Sequence, residues 1–131
     1  MTRPGGDPEC SWLRWIALRL GWAFRGMFAF LGEPQNLYAH LPAAFIVFAV
    51  GCILQIDRLE WCLIIFAIAI VFVSEGLNSA LESLADAVHP TEHPLVGRAK
   101  DVAAGAVLLA SFAAAAVGLI IFLPKLLALF P

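Results

Sequence analysis

The chain has 131 residues, of which 62% are hydrophobic and 14% are charged. This length suits a single domain, residues 1–131, and so apolar a composition lies outside the range of soluble globular proteins. A formal net charge of −2 gives no basic surface for nucleic acid, which is therefore excluded as a partner. The composition predicts a small integral membrane protein.

The N-terminal part of the sequence combines a loose start with an aromatic, basic segment. Residues 1–10 are rich in proline and glycine and are predicted to be loose. Over residues 11–32, tryptophans alternate with arginines. This pattern predicts an amphipathic helix at the membrane interface, with tryptophans at headgroup depth and arginines toward phosphates. Pro34 is expected to end this helix, because it lacks a backbone donor and disfavours helix in the preceding residue.

Three apolar segments follow, at residues 37–56, 61–88 and 98–123. A helix needs about 20 predominantly apolar residues to cross a bilayer, so each segment is predicted to be a transmembrane helix. Basic residues precede the first segment and begin the third. This distribution predicts that the N-terminus and the second loop, residues 89–97, are cytoplasmic. The fold class is therefore predicted to be an all-α integral membrane protein with three spans and one interfacial helix.

A polar stripe runs along the second predicted span. It consists of Glu75, Asn78, Glu82 and Asp86, whose spacing places all four within about 80° of one helix face. An acidic side chain near the bilayer centre costs roughly 2.5–3.5 kcal/mol on insertion scales, so Glu75, the deepest, is expected to have a function.

The two glutamates of this stripe are predicted to have different roles. Glu75 and Glu82 are about 10 Å apart along the helix axis, too far for one Mg²⁺ ion to bind both carboxylates. Glu82 lies nearer the cytoplasmic end, where ATP arrives, and is the candidate for holding Mg²⁺ on the phosphates. Glu75 lies at the depth that a lipid hydroxyl can reach and is the candidate general base. Asn78 lies between them and can orient either one.

A lysine and an aspartate follow the second loop. Lys100 can reach phosphate oxygens as a point charge, while Asp101 supports the metal or the lysine. Phosphoryl transfer needs mainly in-line positioning and compensation of charge, so a few acids and one lysine suffice. These residues predict a kinase that moves the γ-phosphate of ATP to a lipid hydroxyl, with Mg²⁺ as cofactor.

Two other interpretations of the stripe stay open at this point. Polar side chains on a membrane helix also bond helices together, which would make the chain a non-catalytic small membrane protein. Carboxylates that face a bundle interior also mark proton-coupled carriers. Inverted repeats or broken paired helices would favour a carrier, and the sequence shows neither.

A longer pattern surrounds the polar residues. It reads Glu75-Gly-Leu-Asn78-Ser-Ala-Leu-Glu82-x-x-x-Asp86, then His93-Pro-Leu, then Gly97-Arg-Ala-Lys100-Asp101. The pattern resembles the prokaryotic diacylglycerol kinase family, particularly its undecaprenol kinase branch, over roughly residues 21–125. The Asn36…His40 pair also looks like that family.

The resemblance implies a homotrimer of three-span subunits in the bacterial inner (plasma) membrane, with active sites shared between neighbouring subunits. It implies Glu75 as catalytic base and Glu82 as a ligand of the metal and the nucleotide. It further implies His93, Lys100 and Asp101 at the ATP. Asn78 and Asp86 match the remaining polar positions of the family's site.

The sequence departs from the family pattern before the first span. An ungapped alignment puts Pro34 where the family has a second metal-binding glutamate, and Glu33 is offset by one residue. A local shift ahead of Pro34 would restore the carboxylate, so Glu33 is predicted to contact the metal and ATP, with another group as the alternative. The acceptor stays open between undecaprenol and diacylglycerol, because each offers one hydroxyl at the interface.

Overall fold

The structure is a computed structural model that describes residues 8–129, with side chains from residue 12 onward. The chain divides into two units, residues 1–39 and residues 40–131. All regular structure within residues 8–129 is helical. The segment predicted to be loose falls largely on residues 1–7, which lie outside the described residues.

The first unit contains helix α1, Pro8–Leu31. It begins three residues before the predicted start, and proline suits the first helical position because the missing N–H has no partner there anyway. Within α1 the Arg19 guanidinium lies 4.1 Å from the centre of the Trp15 ring. Large apolar side chains of this helix, such as Trp12 and Phe28, are exposed. An interfacial location of α1 stays a prediction.

The end of α1 is closed by polar contacts. The Glu33 amide donates to the Phe30 carbonyl at 3.1 Å, and the Asn36 side-chain Nδ2 donates to the same carbonyl at 2.9 Å. Asn36 is 2% exposed. These bonds satisfy a carbonyl that the helix end leaves without an intrahelical partner. The turn at Gly32 and Glu33 thus separates α1 from the π-helical turn Asn36–His40, in agreement with the break predicted near Pro34.

The second unit contains α2, Leu41–Ile53, α3, Arg58–Val88, and α4, Pro94–Leu127. Three helical stretches of the described chain are long and apolar enough to cross a membrane, and these are Asn36–Ile53, Arg58–Val88 and Pro94–Leu127. Three spans were predicted, and three are found. A helix of 31 residues measures about 46 Å, whereas the hydrocarbon core is about 30 Å thick. Part of α3 therefore extends beyond the hydrocarbon.

Helices α3 and α4 form an antiparallel pair. Ile64 and Ile121 are buried in one cluster, with Ile68 and Val117 packed against it. An ion pair joins each end of the pair, Glu60 with Lys125 at 3.0 Å and Asp86 with Lys100. The two ion pairs are 26 residues apart on α3 (60 to 86) and 25 apart on α4 (100 to 125), so the register is nearly constant.

Caps explain why α3 and α4 are longer than the predicted spans. Asp57 accepts from the amides of Leu59 and Glu60, and Glu60 accepts from the amide of Asp57, which makes a capping box that starts α3 at Arg58. His93 Nδ1 accepts from the Leu95 amide at 3.2 Å and starts α4 at Pro94, four residues before the predicted start.

The C-terminal end of α4 also differs from the prediction. The third span was predicted to end at residue 123, but the helix continues through Pro124 to Leu127. Lys125 anchors this last turn through its ion pair with Glu60. The proline therefore stays inside the helix.

Helix α2 ends in a tight corner. The Ile56 amide donates to the Gly51 carbonyl at 3.2 Å, and the Gln55 amide donates to the Cys52 carbonyl at 3.4 Å. Gln55 has a φ of 49°, so the corner is a Schellman motif with a non-glycine residue in the left-handed position. This conformation costs roughly 1–2 kcal/mol for a residue with a Cβ.

The corner brings α2 and the first turn of α3 together at Gly51. A Cβ added to Gly51 would lie 2.8 Å from Cη2 of Trp61, so a larger residue would push the indole away. The Trp61 ring lies 4.7 Å from that of Phe48, between ring centres. Glycine here permits the close contact between the two helices.

We expect Gln55→Gly to raise the free energy of unfolding by about 0.5–1 kcal/mol, because glycine adopts a positive φ without steric cost. Gln55→Val should lower it, since a β-branched residue fits this conformation poorly. Titration of micellar protein with SDS, followed by circular dichroism, measures both changes. Ala104→Gly, at an exposed position inside α4, is the matched control and should lose about 1 kcal/mol. Equal effects of glycine at both positions would contradict the strain at Gln55.

Candidate active site

The polar stripe of α3 becomes more exposed toward the C-terminal end of the helix. Glu75 is 5% exposed, Asn78 is partly buried, and Glu82 and Asp86 are exposed. The buried end therefore lies among apolar side chains, while the exposed end is open to ions and nucleotides.

Glu75 has a partner that the stripe itself does not contain. The Glu75 carboxylate Oε1 lies 2.8 Å from Nε2 of His40, the residue that precedes α2. The His40 side chain is 23% exposed. Its ring meets that of Phe72 edge-on, with centres 6.1 Å apart. The deepest acid on α3 is thus hydrogen-bonded to an imidazole from another helix.

Sequence reasoning missed this contact. His40 entered the sequence analysis only as part of the family pattern, since helical spacing relates residues on one helix and not on two. The sequence did contain one indication of it. His40 is a lone titratable residue at the edge of an apolar span, and such a residue usually has a polar partner inside the protein.

Asn78 and Glu82 form the next contact along the stripe. Asn78 Nδ2 donates to Glu82 Oε1 at 3.0 Å. The carbonyl oxygen of Asn78, Oδ1, is buried and has no hydrogen-bond partner among the described residues. Asn78 therefore contacts Glu82, one of the two neighbours that it was predicted to orient.

Asp86 and Lys100 connect the stripe to α4. Lys100 Nζ bonds to Asp86 Oδ1, while Asp101, the predicted partner of Lys100 or of the metal, is exposed. The Lys100 side chain is 32% exposed and that of Asp86 is 69% exposed. The lysine is therefore held beside the stripe while about a third of its side chain stays exposed.

A cleft opens between the end of α3 and the start of α4, with a volume of about 630 Å³. This is within the usual range for small-molecule sites. Its lining contains three of the sequence-predicted residues, Asp86, His93 and Lys100. The other lining residues are His89, Pro90, Thr91, Glu92, Pro94, Val96 and Gly97.

His93 has a structural task inside this cleft. Its Nδ1 caps α4, and its ring lies 4.9 Å from that of His89, between centres. The His89 Nδ1 lies 3.1 Å from both oxygens of Thr91. These contacts fix the loop, so the cleft has a defined wall.

The oxygen atoms around Glu82 fit Mg²⁺. No group of three or more His, Cys, Asp or Glu side chains that could hold a metal is found in the described part of the chain. Mg²⁺ in phosphoryl-transfer sites is typically held by one or two carboxylates together with substrate phosphates and water. The exposed Glu82 carboxylate and the unpartnered Asn78 Oδ1 are ligands of this kind. Glu33 lies in the first unit, in the turn after α1, and its role at the metal stays a prediction.

The sequence matches a known family over most of its length. The family model described as prokaryotic diacylglycerol kinase matches residues 21–122. The chain belongs to the prokaryotic diacylglycerol kinase family. This confirms the resemblance found in the sequence. It also favours an enzyme over the carrier and the non-catalytic protein.

Several curated relatives agree with this assignment. The undecaprenol kinase of Bacillus subtilis (strain 168) is 38% identical over 104 residues, which cover 79% of this chain and 85% of the relative. The diacylglycerol kinase of Synechocystis sp. is 35% identical over 115 residues, 87% of this chain and 65% of the relative. The diacylglycerol kinase of Escherichia coli (strain K12) is 32% identical over 96 residues, 73% and 71% respectively. The chain is accordingly a membrane lipid kinase of the diacylglycerol and undecaprenol kinase type.

We expect the Asp86–Lys100 ion pair to matter little for stability. Both side chains are partly or largely exposed, so Asp86→Asn and Lys100→Met should each change the free energy of unfolding by less than about 1 kcal/mol. Lipid phosphorylation by Lys100→Met should nevertheless fall at least about tenfold, because a charge-assisted bond to phosphate is lost. SDS titration and a phosphorylation assay on the same samples separate the two effects. Parallel losses of stability and activity would contradict a role at the phosphates.

Proposed function

We propose that this kinase transfers the γ-phosphate of ATP to the hydroxyl of undecaprenol, producing undecaprenyl phosphate. The choice of undecaprenol is supported by the 38% identity to an undecaprenol kinase over 85% of that enzyme, against 35% and 32% for two diacylglycerol kinases. Diacylglycerol, which would give phosphatidic acid, is the competing acceptor. Phosphorylation of either lipid is a lipid kinase reaction of the kind that the family carries out.

The observation that carries the chemistry is a carboxylate, Glu75, that is 5% exposed on an apolar helix. Its Oε1 lies at hydrogen-bond distance from an imidazole. A Lys or Arg partner would instead tie the carboxylate up in a fixed ion pair. In the proposed reaction Glu75 takes the proton of the lipid hydroxyl as the hydroxyl oxygen bonds to the γ-phosphorus. The bond from that phosphorus to the β,γ-bridging oxygen breaks, and ADP leaves.

The phosphates are proposed to lie at the exposed end of the stripe. Lys100 would contact them there, held by Asp86, while Asp101 would support the lysine or the metal and His93 would line the nucleotide cleft. Glu82, oriented by Asn78, would hold Mg²⁺, and the assignment of Glu33 to the metal stays a prediction. When bound, Mg²⁺ supplies charge compensation on the β- and γ-phosphates.

The proposed setting is the bacterial inner membrane, with the N-terminus and the α3–α4 loop in the cytoplasm. Basic residues before the first span and at the start of α4 support this orientation. A homotrimer with α1 at the interface completes the proposal. The many exposed apolar side chains of the helices leave surface for both lipid and neighbouring subunits.

Purified protein in mixed micelles should transfer labelled phosphate from MgATP to undecaprenol, and Glu75→Gln should reduce transfer by at least about a thousandfold, since the amide cannot take a proton. Diacylglycerol is assayed in parallel. Glu60→Gln is the matched control, because Glu60 lies at the other end of α3 and glutamine also serves at its position in a capping box.

The outcomes separate the parts of the proposal. Transfer to diacylglycerol with none to undecaprenol would correct the acceptor and keep the reaction. Full activity in Glu75→Gln would remove the general base. A wild-type protein that is folded and phosphorylates neither lipid would overturn the function.

Magnesium dependence should be sensitive to Glu82. We expect Glu82→Gln to raise the Mg²⁺ concentration for half-maximal activity at least about tenfold, because a neutral amide replaces a charged ligand. Removal of Mg²⁺ with a chelator should abolish transfer by the wild type. An unchanged Mg²⁺ titration in Glu82→Gln, with Glu60→Gln as reference, would exclude Glu82 as a ligand.

A further inference from the structure

Contacts with other groups must hold the side chain of Glu75 in one orientation if it is to act as a base. A glutamate has several freely rotating bonds, and ordering such a side chain costs conformational entropy. A base that is misplaced by about 1 Å from its target can lose about a hundredfold in rate. The contacts of the Glu75 carboxylate are therefore part of its chemistry.

His40 meets the requirements of a holding group. Its Nε2 lies 2.8 Å from Glu75 Oε1, at hydrogen-bond distance. The Phe72 ring, one helical turn before Glu75 on α3, contacts the imidazole edge-on. The ring is thus confined on one side by an aromatic group, and its Nε2 points at the carboxylate.

The imidazole also has suitable chemistry. In the tautomer that carries the proton on Nε2, a neutral imidazole donates one hydrogen bond and adds no charge. A carboxylate that accepts one hydrogen bond has further lone pairs with which to accept a proton. An ammonium or guanidinium group in the same place would hold the carboxylate more strongly and make it a poorer base.

The contact joins two helices as well as two side chains. His40 precedes α2, and Glu75 lies in the second half of α3. The opposite end of α2 is pinned to α3 at Gly51 and Trp61. The hydrogen bond therefore fixes the end of α2 that lies beside the proposed base.

We propose that His40 is the positioning residue of this enzyme: its Nε2–H holds the buried Glu75 carboxylate in the orientation from which it takes the proton of the lipid hydroxyl. The inference rests on the proposed function, because it assigns a task within the same reaction. It adds a residue from the π-helical turn before α2 to the proposed residues of α3 and α4.

Three substitutions at His40 test the role. His40→Ala removes the donor, and kcat should fall about a hundredfold while KM for MgATP stays within about twofold. In His40→Gln the side-chain amide nitrogen takes a position like that of Nε2, and kcat should recover to within about tenfold of the wild type. His40→Asn places its amide nitrogen nearer the backbone, like Nδ1, and should behave as alanine does. Unfolding transitions verify that all three variants are folded.

A structural role for His40 would give a different pattern. Equal activities of the Gln and Asn variants would overturn the proposal, as would wild-type kcat in His40→Ala or a loss confined to KM. In a Glu75→Gln background, His40→Ala should cause no further loss of the residual activity, since the two residues act as one unit. An additional loss of similar size in that background would show that His40 acts elsewhere.

A measurement without turnover checks the contact itself. The ring ¹⁵N resonances of His40 in micelles should shift between the wild type and Glu75→Gln, and should stay unchanged in Glu60→Gln. Identical spectra for all three proteins would overturn the proposal.

Loss of transfer in Glu75→Gln with full transfer in His40→Ala would overturn the positioning role and leave the kinase intact. Absence of wild-type transfer would overturn both.

Discussion

A carboxylate in an apolar helix must be compensated, and the second unit of this protein is arranged around that requirement. An acidic residue at the bilayer centre costs roughly 2.5–3.5 kcal/mol on insertion scales, and the cost must be met by partners inside the protein. Glu75 obtains its hydrogen bond from His40, which lies on the chain before α2. The same hydrogen bond therefore holds the start of α2 against α3 and keeps the Glu75 side chain in place.

The α3–α4 pair gives this arrangement a rigid frame. Apolar contacts around Ile64 and Ile121 hold the pair near the loop between α2 and α3, and the Asp86–Lys100 ion pair closes the other end. Helices longer than the hydrocarbon core place their last turns outside it. The Asp86–Lys100 end presents an open cleft, while at the other end Glu60 caps α3 and pairs with Lys125.

Patterns along one helix were predictable, and contacts between helices were not. The three spans and the stripe that begins at Glu75 follow from hydropathy and a period of 3.6 residues, because both are properties of a single segment. His40 facing Glu75 depends on how α2 packs, and spacing along the chain carries no such information. The early start of α4 depends on His93 using its ring as a cap, a residue type that the usual N-cap preferences do not include. The positive φ of Gln55 could not be predicted for a similar reason, since glycine is the usual residue at this position after a helix.

Helix α3 sets the spacing between the two carboxylates of the proposed reaction. Glu75 and Glu82 are two turns apart, about 10 Å along the axis, so the lipid hydroxyl and the γ-phosphate would have to meet in the space between the two side chains. Asn78 lies between them and is bonded to Glu82, which leaves the lipid side to Glu75 and His40. Any lipid with a single hydroxyl at this depth meets the same two groups. Discrimination between undecaprenol and diacylglycerol must therefore come from groups that contact the rest of the lipid, either the ester oxygens that only diacylglycerol carries or the differently shaped tails.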